Sequence, residues 1–187
     1  MFESVERGTQ FTRYSFLGVS PRLRLIGYGK KTFVYKNNNF TKSNENILDI
    51  LKKHTETYNP APNKDLPRFT GGFVGFLGYD SVRLIENIPA KNLKSLSVPD
   101  SCFMRFDTIL AFDHLRKQMI LIANVIPDDN LSCKESYKDG VERLNKLEHL
   151  LCTAVIPSQT KQMRTLKIES NLTEESFKSA VLKAKDY

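Results

Sequence analysis

The run Leu66 to Asp80, LPRFTGGFVGFLGYD, sets Gly71, Gly72, Gly75 and Gly78 among apolar and aromatic residues. Glycine inside a strand weakens it, through backbone entropy and lost packing. A strand that carries it repeatedly has another backbone or a large side chain lying against it. The run therefore predicts a close-packed, buried strand. It is not a nucleotide loop. Gly72, Gly75 and Gly78 are spaced three and three, unlike G-x-G-x-x-G, and no P-loop lysine follows.

Around this run the hydrophobic periods predict further elements. Phe11 to Gly18, Arg22 to Tyr28 and Thr32 to Tyr35 read as strands, with Ser20-Pro21 as the first turn. After the polar turn Asn37-Asn38-Asn39, Ser43 can cap a helix running to about Thr57, with Ile47, Ile50, Leu51 and His54 as its stripe. Asn59 to Asn63 holds two prolines and reads as an exposed linker. Ser81 to Glu86 predicts a short helix or turn, and Ile88 to Pro99 a polar loop. Phe103 to Asp113 alternates as one strand, and Gln118 to Val125 returns as its hairpin partner.

Cys133 to about Ala154 predicts a long helix that buries Tyr137, Val141, Leu144, Leu147 and Leu151, with Gly140 as a weak point. Ile156 to Met163 is a polar linker, which places a boundary between residues 1–160 and 161–187. Thr173 then caps a last helix, Glu174 and Glu175 suit its first turn, and Leu172 can staple onto Phe177. Its stripe of Phe177, Val181 and Ala184 runs almost to Tyr187 with no capping residue, so the chain is expected to be cut there.

Composition narrows the class. Apolar residues make up 40% of the 187 positions, enough for a core. No apolar stretch approaches the roughly 18 residues of a membrane span, so no membrane partner is expected. Met1 to Gln10 contains Glu3 and Glu6 and has no apolar signal segment. Cys102, Cys133 and Cys152 are odd in number and widely spaced, which fits a reducing cytoplasm. The net charge of +7 is scattered in pairs such as Lys30-Lys31 and Lys52-Lys53, and no nucleic-acid motif accompanies it. No nucleic-acid partner is expected.

Candidate site residues are few. His54, His114 and His149 are far apart and suggest no metal cluster; each reads as a surface or packing residue. Asp80, Arg83 and Glu86 share one helix face and predict the ion pairs Asp80–Arg83 and Arg83–Glu86. Asp107 and Asp113 lie opposite the Met104–Phe112 face, in solvated or loop-anchoring roles. Glu3 and Ser4 could receive a small zwitterion, the carboxylate facing an ammonium group; solvated groups would read the same way.

The assembled segments resemble a known family. Phe2-Glu3-Ser4-Val5-Glu6-Arg7-Gly8 and Arg13-Tyr14-Ser15-Phe16-Leu17-Gly18 look like the opening of anthranilate synthase component I. Thr70 to Asp80, with Val82-Arg83 and Glu86, is similar to that family's glycine-rich segment. Pro99-Asp100, Phe103-Met104, Asp107 to His114 and Leu121 to Val125 extend the likeness. Ser170 to Thr173 and Phe177 to Lys185 resemble the start of its chorismate-binding domain.

The resemblance implies an α+β fold of antiparallel sheets packed with helices. It implies a cytoplasmic lyase, a carbon–oxygen lyase, that makes anthranilate and pyruvate from chorismate. Ammonia comes from a glutamine amidotransferase subunit (component II), and the step feeds tryptophan synthesis. It implies Mg²⁺ and chorismate ligands in a C-terminal domain beyond these residues, so no residue here is carried over as catalytic or metal-binding and the chain alone should be inactive. Residues 1–160 would be the regulatory domain, and 161–187 a linker and the first helix of the next. Glu3 and Ser4 match the family's Leu-Leu-Glu-Ser motif, which helps bind the feedback inhibitor tryptophan, although Met1 and Phe2 stand where the leucines would be. The alternatives are aminodeoxychorismate synthase component I, of folate synthesis, and a free-standing amino-acid sensing module.

Overall fold

The computed structural model describes residues 13–36, 39–56, 61, 63–89, 98–126, 131–153 and 169–186. It divides into two compact units, residues 1–153 and 154–187.

In the first unit the described strands form two antiparallel sheets. The chain enters through β1 (Tyr14–Gly18) and then makes the meander β2 (Leu23–Tyr28), β3 (Lys31–Lys36) and β4 (Asn39–Ser43). Strand β4 lies where a polar turn and a helix cap were expected. Its alternation is weak, because most of its residues are exposed at a sheet edge. The helix α1 follows at Ile47–Glu56, later than expected. Its cap is Asn46, whose Oδ1 accepts from the amides of Leu48 and Asp49 at 2.9 and 3.1 Å. Ser43 closes the preceding turn instead, accepting from the Glu45 amide at 3.1 Å.

The glycine run becomes β5 (Gly72–Leu77) and a 3-10 turn at Tyr79–Leu84. Strand β5 pairs with β6 (Ser101–Phe106), completing a five-stranded sheet in the order β4-β3-β2-β6-β5. The expectation of a fully buried strand is corrected: β5 is an edge, half-buried at Gly72–Val74 and exposed beyond. The expected close backbone is present. A Cβ on Gly75 would strike the carbonyl oxygen of Cys102 and stand 2.7 Å from the Cα of Phe103. Gly71 and Gly72, at φ +147° and +126°, adopt a backbone that residues with side chains rarely take.

Phe103 to Asp113 is not one strand. It breaks at Asp107 into β6 and β7 (Thr108–Asp113), and these belong to different sheets. Strand β7 is the centre of a three-stranded sheet, β1-β7-β8, with β8 at Gln118–Ala123. The β7–β8 hairpin is as expected, with Thr108 opposite Ala123. The break hides in the sequence because alternation continues straight through it.

The core has two centres. Leu23 and Leu25 from β2 pack with Ile47 and Ile50 from α1, flanked by Val34, Phe73 and Phe103. Fully burying each such leucine or isoleucine stabilises by roughly 1.5–3 kcal/mol. In the second sheet Ile109, Leu110, Ala111 and Ile122 are buried.

The long helix α2 (Cys133–Thr153) lies against β8. Ser132 and Glu135 cap it reciprocally: each amide donates to the other's side chain, at 2.9 and 3.3 Å. Its expected stripe is corrected. The inward residues are Ser136, Gly140 and Leu147, while Tyr137, Val141 and Leu151 are exposed. Gly140 explains the choice, since a Cβ there would stand 2.8 Å from Cγ2 of Val125.

In the second unit, α3 (Glu174–Lys185) is capped by Thr173, whose hydroxyl accepts from the Ser176 amide at 3.3 Å. It ends with Asp186 in helical conformation, its amide on the Lys183 carbonyl.

Candidate functional site

A cluster of polar side chains surrounds the joint between the two sheets. Asp107 is 5% exposed. Arg105 reaches its carboxylate from Nε at 3.0 Å, and Arg22 lies 3.9 Å away. From α2, Arg143 donates to Thr108 Oγ1 at 2.8 Å and to the Asn124 carbonyl at 2.9 Å. Asp139 holds Arg143 at 3.0 Å and Arg22 at 2.8 Å. Asn124 completes the joint: its amide donates to the Asp107 carbonyl at 2.7 Å, and its side chain donates to the Thr70 carbonyl at 2.7 Å. Burial forces this arrangement, because polar groups at a sheet-to-sheet crossing must find partners inside the protein.

A second polar group sits at the far end of β7. Asp113, 1% exposed, takes Arg13 through both oxygens at 3.0 and 2.6 Å. Its Oδ1 also accepts from the turn amides of Leu115 and Arg116, each at 3.1 Å. The hydrogen bond from Arg13 holds this carboxyl far below the usual carboxylate range, against the opposing cost of burial. Beside it, Ser15 Oγ and His114 Nε2 are 2.7 Å apart. That contact has the spacing of a nucleophile and base, yet the neighbouring acid is committed to Arg13 and the turn and does not orient the imidazole. The arrangement ties strand ends together.

Asp107 and Asp113 are therefore buried, which corrects the solvated reading; Asp113 does anchor its loop. Asp80 pairs with Arg83 at 3.0 Å as expected, but the other contact of Arg83 is the Ile88 carbonyl at 3.3 Å rather than Glu86. His54 packs on Phe73, ring centroids 5.9 Å apart, and burial lowers its pKa, with Arg105 and Lys36 adding to the effect. His149 lines an open hollow with Glu142, Asn145, Lys146 and Leu150, all from one helix. Glu3 and Ser4 lie outside the described residues.

Arg143 and Asn124 were missed by sequence reasoning, and one signal for Arg143 existed. Ser136, Gly140, Arg143 and Leu147 recur at helical spacing, and Arg143 stands four residues after Asp139. Mg²⁺ does not fit these residues. Among those described, no group of three or more His, Cys, Asp or Glu could hold a metal ion, and the buried carboxylates already carry guanidinium partners.

Residues 3–187 match the chorismate binding enzyme family. The chain belongs to that family. Over its whole length it is 32% identical to anthranilate synthase component 1 of Acetivibrio thermocellus, covering 39% of that protein. It is 33% identical to the chloroplastic anthranilate synthase alpha subunit 1 of Arabidopsis thaliana, covering 35% of it. Thus this chorismate binding enzyme chain spans less than two fifths of the length of these curated relatives. The crystal structure of anthranilate synthase component I from Streptococcus pneumoniae shares its fold, with a TM-score of 0.64 at 21% identity, over 98% of this chain and 40% of that one. The α+β class follows from that likeness and from the two antiparallel sheets.

Proposed function

We propose that this chain is the N-terminal, tryptophan-sensing part of an anthranilate synthase component I. In that reading the whole enzyme converts chorismate and ammonia to anthranilate and pyruvate in the cytoplasm. A glutamine amidotransferase subunit supplies the ammonia, and Mg²⁺ and chorismate are held by the remainder of the enzyme. Glu3 would face the ammonium group of tryptophan, and Ser4 would hydrogen-bond it.

The observation that carries the reading is the match over the whole chain to anthranilate synthase components, of which it covers about two fifths or less. The use of Asp107, Asp113 and Asp139 supports a regulatory or scaffolding part, since each carboxylate is paired with an arginine.

The test is product analysis on the enzyme made from the complete reading frame that contains these residues, given chorismate, ammonia and Mg²⁺. Anthranilate and pyruvate are expected. Accumulation of 4-amino-4-deoxychorismate would overturn the assignment in favour of the folate-pathway relative.

A further inference from the structure

The β7–β8 turn grips the start of β1 more firmly than strand pairing requires. The ladder already sets the register, with Tyr14 opposite Asp113 and Gly18 opposite Ile109. Two turn residues add to it. Asp113 takes Nε and Nη2 of Arg13, one on each oxygen, at 3.0 and 2.6 Å. The His114 amide donates to the Arg13 carbonyl at 2.8 Å, and the His114 ring meets Ser15 Oγ at 2.7 Å. The Arg13 guanidinium also lies over the Tyr14 ring, 4.9 Å from its centroid.

A two-bond fork between guanidinium and carboxylate fixes direction as well as distance. As glue alone it is a poor choice. Burying a charged pair costs desolvation, and apolar residues in the same place often hold as well or better. The side chain of Asp113 is 1% exposed and that of Arg13 31%, so the cost falls mainly on the carboxylate. What the fork adds is a defined heading for the chain at Arg13. Ser4 stands nine positions before Arg13. Nine residues reach at most about 30 Å, so the heading at Arg13 limits where Glu3 and Ser4 can go.

We propose that Arg13 is a positioning residue for tryptophan control: held by Asp113 and His114, it anchors the root of the segment that carries Glu3 and Ser4. The inference rests on the reading of those two residues as the inhibitor's partners. Without the fork, the first residues of β1 must be ordered again each time the inhibitor binds. Each residue so re-ordered weakens binding by roughly fivefold or more. Turnover does not depend on the anchor, because in that reading chorismate is held by the remainder of the enzyme.

The test is tryptophan inhibition of the enzyme made from the complete reading frame, given chorismate, ammonia and Mg²⁺, for the parent and three variants. Arg13→Gln is expected to raise the inhibition constant at least about tenfold, with kcat and KM for chorismate within about twofold of the parent. Arg13→Lys keeps the charge but not the fork, and is expected to fall between the two, at least about threefold above the parent. Arg22→Gln removes the ion pairs to Asp139 and Asp107 and controls for general loosening. It is expected to leave all three constants within about twofold of the parent. If Arg13→Gln does not fold, Arg13→Lys decides in its place.

An unchanged inhibition constant in the Arg13 variants would overturn the proposal. So would an equal rise in Arg22→Gln, or a fall in kcat as large as the rise. These failures leave the tryptophan reading standing, because the parent is still inhibited. A parent indifferent to tryptophan removes that reading, and the role of the anchor with it.

Discussion

Gly75 and Asp113 show what single residues decide. The carbonyl of Cys102 occupies the space a side chain at Gly75 would need. Gly75→Ala is therefore expected to push β5 from β6 and to cost roughly 1–3 kcal/mol, the range for overpacking, in a urea titration. Gly29→Ala, where no atom lies within 4 Å but φ is +53°, gives the contrasting cost of backbone strain alone. The need for glycine at position 75 was legible because glycine recurs inside an apolar run. The partner of Asp113 was not legible, since Arg13 lies 100 positions earlier.

The depressed pKa of Asp113 has a defined sign. An unfolded aspartate titrates near pH 3.9, to a first approximation, and the folded one titrates lower. Its stabilisation is complete above the unfolded value and is lost as pH falls through the folded one. Asp113→Asn should thus lower the Tm at pH 7 and flatten the fall in Tm as pH drops below about 4. An acid limb identical to that of the parent protein would contradict the Arg13–Asp113 account.

At the scale of elements, the joint at Asp107 organises the first unit. One alternating stretch supplies β6 to one sheet and β7 to the other, and α2 locks the crossing through Arg143. Arg143→Ala removes the donors to Thr108 and Asn124 from a largely buried site, and is expected to cost about 2–4 kcal/mol by denaturant unfolding. Tyr137→Ala, on the outer face of the same helix, should stay within roughly 0.5 kcal/mol of the parent. Equal effects would mean that α2 packs by its apolar stripe after all.

Strands β2 and β3 and the β7–β8 hairpin were readable because period-two alternation reports a half-buried face, whereas the exposed edge strand β4 was not. The break at Asp107 was not, because a crossing between sheets preserves the alternation on both sides. The face of α2 was misread for a different reason. A small residue that permits close approach, Gly140, outweighed larger apolar residues that the helix leaves exposed.

At the scale of the whole molecule, the chain belongs to the chorismate binding enzyme family and spans less than two fifths of the relatives it matches. Its described polar groups hold strands, turns and a helix together. The family was legible from the motifs along the chain, whereas the division into two sheets was not, because it becomes visible only once the strands are placed in register. In the proposed function, tryptophan control rests on Glu3 and Ser4. In the enzyme made from the complete reading frame, Ser4→Phe should leave uninhibited turnover within about twofold, since in that proposal Ser4 meets the inhibitor and not the substrate.

The measurement that tests this account most directly is the rate of anthranilate formation by that enzyme across a tryptophan series, for the parent and for Ser4→Phe. The account predicts inhibition of the parent and an inhibition constant raised at least tenfold in the variant. A parent enzyme indifferent to tryptophan, or a variant inhibited as strongly as the parent, would contradict it.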